Sequence, residues 1–209
     1  MQLVRGRTTH ILAVEQITAR DLGARISSNQ VKRLTAEAVD QMPLYENLAL
    51  AIKASLAIIN VASVQIDVLE KRLKETVKPR AEYAFLSGLP GVGRVLATTI
   101  LLETGPIERF GAEDNFLSYA RCVDCRYTSN GKRKAKGNTK KGNKYLAWAF
   151  IEAAHFGIRY CPQAKRFHKR KKAKTNNVVA TKVLMHELAR ACFHMLKGRK
   201  PFDVTRCFS

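Results

Sequence analysis

The sequence predicts an all-helical fold: a helical hairpin and coiled coil, followed by a compact helical domain with a helix-hairpin-helix and an exposed basic loop. Three observations carry this. Apolar residues recur at helical spacing over most of the chain, glycine- and proline-marked turns separate these segments, and there is little sign of any sheet. With 209 residues and 46% hydrophobic composition the chain can bury a real core, so one compact domain plus an appendage is the natural division.

Leu3 to Leu22 carries apolar residues at helical spacing, and Gly23 with Ser27, Ser28 and Asn29 breaks it, so residues 3–41 read as a helix pair. The chain thus opens inside a helical hairpin, with no compact unit before it, as the later part of a longer protein does. Between Tyr45 and Thr76 a heptad runs through Leu48, Ile52, Ser55, Ile59, Ala62, Ile66, Leu69 and Leu73, in steps that alternate three and four. That is the pattern of a coiled-coil seam, and one long helix of an ordinary bundle gives the same spacing. Lys71, Arg72, Lys74 and Glu75 lie outside the seam, and Lys78-Pro79 stops the helix because proline disfavours helical geometry in the residue before it.

From Phe85 to Glu103 the sequence reads as a helix, a glycine-rich turn at Leu89-Pro90-Gly91-Val92-Gly93, and a second apolar helix. This fits a helix-hairpin-helix, in which Gly91 and Gly93 let the backbone approach a DNA phosphate and the amides of the next helix point at the anion. A plain glycine turn between core helices is the other reading. Gly105-Pro106 ends that helix, and Ile107 to Cys122 reads as a short helix with Phe110, Phe116 and Tyr119. Tyr145 to Tyr160 is a strongly apolar helix, Val178 to Leu196 forms a last one, and the tail from Lys200 has no clear pattern.

The formal charge of +20 makes a nucleic acid the leading partner and an anionic membrane the second. Its placement favours nucleic acid. Eight of the nineteen residues from Arg126 to Lys144 are Lys or Arg and none is acidic, and from Cys125 to His186 the only acidic residue is Glu152. Lys165 to Lys174 adds seven basic residues in ten, including Lys169 and Arg170. By itself that cluster is a solvated helix end, and beside the first it extends one nucleic-acid surface. No uninterrupted apolar run reaches the roughly 18 residues of a membrane span, and the N-terminus has no apolar signal core, so a cytoplasmic protein is expected and no membrane partner. The five cysteines suit reduced thiols better than a disulfide framework.

Cys122-Val-Asp-Cys125 is a lone CxxC with no second ligand pair, and His186-Glu187 lacks a histidine four residues on. His155, His186 and His194 fall within apolar helices and read as packed or half-buried. The carboxylates are spread along the chain, with only Glu103, Asp124 and Glu152 near the loop, so no metal site is expected. A hydroxyl nucleophile is then the better route to phosphoryl transfer. Ser129 is the first candidate, since Asn130-Gly131 lets the backbone turn beside it and Lys132, Arg133 and Lys134 can stabilise charge on phosphate oxygens. A serine in a basic loop also serves simply as a phosphate hydrogen-bond donor.

Leu89-Pro-Gly-Val-Gly93, Arg109-Phe110, Ser118-Tyr-Ala-Arg-Cys122, Ser129-Asn-Gly-Lys132, Gly142-Asn-Lys-Tyr-Leu146 and Thr181 to Cys192 follow one another in an order that resembles the bacterial insertion-sequence transposases of the one-ten group, eleven-eleven subgroup. The resemblance covers nearly the whole chain, with residues 80–203 like the C-terminal transposase domain, residues 1–79 like the preceding coiled-coil region for dimerisation, and residues 204–209 a tail. It implies a DNA recombinase whose serine nucleophile, matched here by Ser129, forms a transient phosphoserine link to DNA. It also implies a magnesium-dependent ribonuclease-H-like domain with four acids before the coiled coil, a structured guide RNA from the element, and subunits paired through the helical region. The acidic quartet is absent before the heptad, so the chain reads as a truncated copy or fragment that needs magnesium only through the missing domain. On this reading Gly91 and Gly93 are backbone phosphate contacts, and Lys140, Lys141 and Lys144 track the strand. A non-catalytic helix-hairpin-helix binding module is the alternative.

Overall fold

The computed structural model describes residues 2–123, 126–129, 132–136 and 141–208. The fold is all-α, as the periodicity predicts, with one two-stranded ribbon set into it. The chain divides into two compact units, Met1–Glu75 and Thr76–Ser209.

The first unit begins with α1 (Gln2–Asp21), which ends before Gly23 at a φ of +64°, where glycine pays no steric penalty. The predicted second helix of the pair is instead two short turns, α2 (Ser28–Val31) and α3 (Ala36–Asp40). Local capping explains them. Ser27 and Gln30 form a capping box, and the Thr35 hydroxyl accepts the Ala38 amide, so each turn satisfies amides that too few apolar residues follow to extend. The long helix α4 (Glu46–Val77) stops just before Lys78-Pro79, as expected.

Ile11 and Val14 of α1 pack with Val31, Val39, and Ile52, Leu56 and Ile59 of α4. The heptad seam is therefore spent inside the unit: Ile52, Ile59, Ala62 and Ile66 are buried, while its outer members Tyr45, Leu69 and Leu73 stay exposed. Arg7 of α1 donates to the Ser63 hydroxyl at 3.2 Å beside this row. A second row at heptad spacing, Leu50, Ala54, Ala57, Val61, Val64 and Val68, faces outward. By length and composition α4 could also cross a membrane.

The second unit is built on α8 (Lys144–Tyr160) and α10 (Asn177–Gly198), with α5 (Ala81–Ser87), α6 (Arg94–Thr104), α7 (Glu113–Tyr119) and α9 (Pro162–Lys174) around them. Phe116, Phe150, Leu146, Leu184, Leu188, Ile100 and Leu86 are buried at its centre, and the Phe116 and Phe150 rings meet edge to face with centroids 6.1 Å apart. The stretch expected as one helix from Ile107 to Cys122 is a single 3-10 turn, Ile107–Arg109, and then α7. The tail, patternless in sequence, forms α11 (Val204–Cys207) and tucks Phe208 against Phe167 and Phe202.

Between α7 and α8 the basic segment forms two antiparallel strands, β1 (Arg126–Ser129) and β2 (Lys132–Lys136), where a loop was expected. Two residues, Asn130-Gly131, connect them in sequence, and an Asn-Gly pair between extended segments is a strong hairpin signal that a reading by charge alone passes over.

Candidate nucleic-acid interface

Ser129 is the last residue of β1 and pairs with Lys132, the first of β2; Thr128 pairs with Arg133. The register slips between Tyr127 and Thr128, since Tyr127 pairs with Ala135, which leaves Lys134 as the extra residue of a bulge. Ser129, Lys132, Arg133 and Lys134 are thus gathered at one end of a short ribbon. Asp124, Cys125, Asn130, Gly131 and Lys140 lie outside the described residues.

Both ends of the basic insertion are tied to one place. Arg121, left-handed at a φ of +56°, donates through Nη2 to the Gly142 carbonyl at 2.8 Å, and the Asn143 amide donates to the Tyr119 carbonyl. Gly142 has a φ of +90°, and a Cβ there would stand 2.6 Å from the Tyr119 carbonyl oxygen. Asn143 then caps α8: its Oδ1 accepts the amides of Tyr145 and Leu146 at 2.8 and 3.1 Å, and its Nδ2 donates to Glu103 at 2.7 Å. Its contact with the Tyr119 hydroxyl, followed by Arg109, holds that phenol below the ordinary tyrosine range. The Arg109 guanidinium sits 4.5 and 4.6 Å from the Phe110 and Tyr119 ring centres. Asn143 and Glu103 were not singled out as a pair by the sequence; an Asn before an apolar helix is a cap signal, but its second bond to a residue 40 positions away is not legible.

The turn from α5 to α6 separates its two glycines by role. Gly91 has a φ of +79°, and a Cβ on it would lie 2.1 Å from the Ala153 carbonyl oxygen and 2.6 Å from the Gly157 amide nitrogen. Its backbone is pressed onto α8. Gly93, at the N-cap of α6, has no atom within 4 Å of a Cβ and is exposed. Lys141 and Lys144 are exposed at the start of α8, with the Lys144 ammonium 5.1 Å from the Tyr145 ring centre.

On α9, Lys165, Arg166, Lys169 and Arg170 are exposed while Ala164, Phe167 and His168 are buried. His168 Nε2 lies 3.2 Å from the Thr181 hydroxyl, which itself donates to the Asn177 carbonyl, so the imidazole is the donor and α9 is fixed to α10 by a buried bond. His168 was not foreseen. Of the histidines expected to be packed, His186 is half-buried, whereas His155 and His194 are exposed, the latter 2.6 Å from Glu113.

Among the described residues no three His, Cys, Asp or Glu side chains converge. Burial pushes the Cys122 thiol up to about 12, which disfavours the thiolate a metal would need.

The serine, the glycine turn and the cations of the ribbon, α8 and α9 all fall in the stretch from α5 to α9. That stretch, residues 83–169, matches the family model described as Transposase IS116/IS110/IS902 family. Residues 83–169 are thus similar to a domain of this transposase family. The matched segment contains the glycine turn, the ribbon and the Asn143 cap, and stops within α9, while the core cluster it belongs to also includes residues of α10. No curated protein matches the chain.

Proposed function

We propose that the chain binds DNA through the ribbon and α9 and supplies Ser129 as the nucleophile for strand cleavage and joining in transposition. The observation that carries this reading is a serine at the end of one strand with Lys132 paired to it, inside a transposase-family segment. In the proposed step the Ser129 hydroxyl oxygen bonds to phosphorus, the bridging P–O bond of the strand breaks, and the hydroxyl proton ends on the departing DNA hydroxyl. A phosphoserine link results, and attack by a DNA hydroxyl reverses it. Lys132, Arg133 and Lys134 stabilise charge on the non-bridging oxygens. Lys140, Lys141, Lys144, Lys169 and Arg170 track the backbone, Gly93 lets a phosphate approach the free amides of α6, and Gly91 acts by holding that turn on α8.

A guide RNA would meet the same field. Copies pair through the helical region, and since the seam is internal, the outward row from Leu50 to Val68 is the face for it. Like its nucleic-acid partner, the protein is placed in the cytoplasm.

The test mixes the protein and its Ser129→Ala variant with nicked or junction DNA, with and without magnesium, followed by denaturing electrophoresis. A covalent adduct that the variant loses is the expected result. Tight, salt-sensitive binding by both proteins with no adduct in either would make the chain a non-catalytic binding module.

A further inference from the structure

We infer that the outer face of α8 near its C-terminal end is a stacking platform for unpaired bases of single-stranded DNA. The inference rests on the DNA-binding role proposed above and names the form of DNA that meets this part of the domain. Phe156 and Tyr160 are 41% and 67% exposed, and their rings stack with centroids 6.3 Å apart and planes within 15°. Residues four apart on a helix are neighbours, so the pair forms one flat apolar surface along the helix. The Arg159 guanidinium lies 5.2 Å from the Tyr160 ring centre, and His155 and Arg159 are exposed on the same side.

The core does not need these rings. Phe150 of the same helix is fully buried and Trp148 packs against the core, whereas Tyr160 leaves most of its area in water and Phe156 about two fifths. Charge decides what covers them. Pro162 opens α9 directly after this face, a Cβ on Gly157 would touch Ala164 of α9 at 3.7 Å, and the neighbouring Lys165, Arg166 and Lys169 are exposed. On the other side Pro90 of the glycine turn lies against Gly157. The occupant is therefore an anion that also offers flat apolar faces. A duplex shows its phosphates but hides its base faces in the stack, whereas a single strand presents both, and aromatic rings beside a cationic track are how such strands are held. A recombinase that opens a strand for attack exposes such bases.

The experiment is fluorescence anisotropy on the full chain at fixed salt, with a labelled oligothymidine, a duplex of the same length and an oligouridine. In the Phe156→Leu/Tyr160→Leu variant, affinity for single-stranded DNA is expected to fall roughly tenfold per ring, while duplex affinity holds within about twofold and the salt slope is unchanged because no cation is removed. Tyr160→Trp, which keeps a ring, is expected to retain single-strand binding. No loss on the oligothymidine, an equal loss on the duplex, or a larger loss on the oligouridine would each overturn the platform. A variant with a lowered melting temperature leaves the Tyr160→Trp and Tyr160→Leu comparison to decide, and equal affinities there also overturn it. Wild-type protein that bound no form of DNA would overturn the DNA-binding role itself, whereas loss of the Ser129 adduct would leave the platform standing.

Discussion

At Gly91 the backbone of the α5–α6 turn comes so close to α8 that a methyl group would overlap the Ala153 carbonyl oxygen and the Gly157 amide, at a positive φ that side chains rarely adopt. Gly93, two residues on, caps α6 in open space. Their substitutions should therefore behave oppositely. Gly91→Ala is expected to cost at least about 2 kcal/mol of stability, whereas Gly93→Ala should cost no more than about 1 kcal/mol and act on DNA affinity. Urea denaturation of both variants checks this, and equal midpoints would refute the close packing. In the sequence the two glycines looked alike, because a glycine's spacing says nothing of which backbone approaches it.

Elements were easier to place than to orient. The boundaries of α4, α8 and α10 follow from caps and stops that sit within a few residues of them, Asn143, Asn176 and Lys78-Pro79 among them. Which face of α4 turns inward did not follow, because a heptad row packs equally well on another copy or on α1, and only the fold puts Ile52 and Ile59 against Ile11 and Val14. The ribbon was hidden for another reason: lysine-rich strands lack the apolar alternation that marks a half-buried strand, and only Asn130-Gly131 signals it. For α9, fixed through His168 and Thr181 with its cations outside, replacing Lys169 and Arg170 by Gln is expected to reduce the slope of log affinity against log salt by about 2. Melting temperature should fall only slightly, since both side chains are exposed and the Arg170 guanidinium, 5.5 Å from the Phe167 ring centre, covers the core only from outside. A salt titration with duplex DNA checks both charges, and an unchanged slope would remove α9 from the interface.

At the scale of the whole molecule, two core clusters share no residue, one around Val14, Ile52 and Ile59 and the other around Phe116, Phe150 and Leu188. Each unit is expected to unfold in its own transition. In calorimetry, Ile59→Ala should lower one transition by about 2–5 kcal/mol and Phe150→Ala the other by about 3–5 kcal/mol, these being the usual costs of such cavities. A single transition shifted by both would show that the units fold as one. The charge is a property of the same scale: +20 over the chain, with Glu152 the only carboxylate from Cys125 to His186, so the ribbon, α8 and α9 share one field.

The sequence by itself determined the helical class, the position of most helices, the concentration of positive charge and the likeness to a transposase, because periodicity, capping and charge are local and can be counted along the chain. Only the tertiary structure decided that the heptad is internal, that Gly91 serves packing while Gly93 stays open, that Asn143 joins the base of the ribbon to Glu103, and that Phe156 and Tyr160 face water. Those are matters of which distant segments meet, and a side chain's surroundings are set by partners many residues away rather than by its neighbours in sequence.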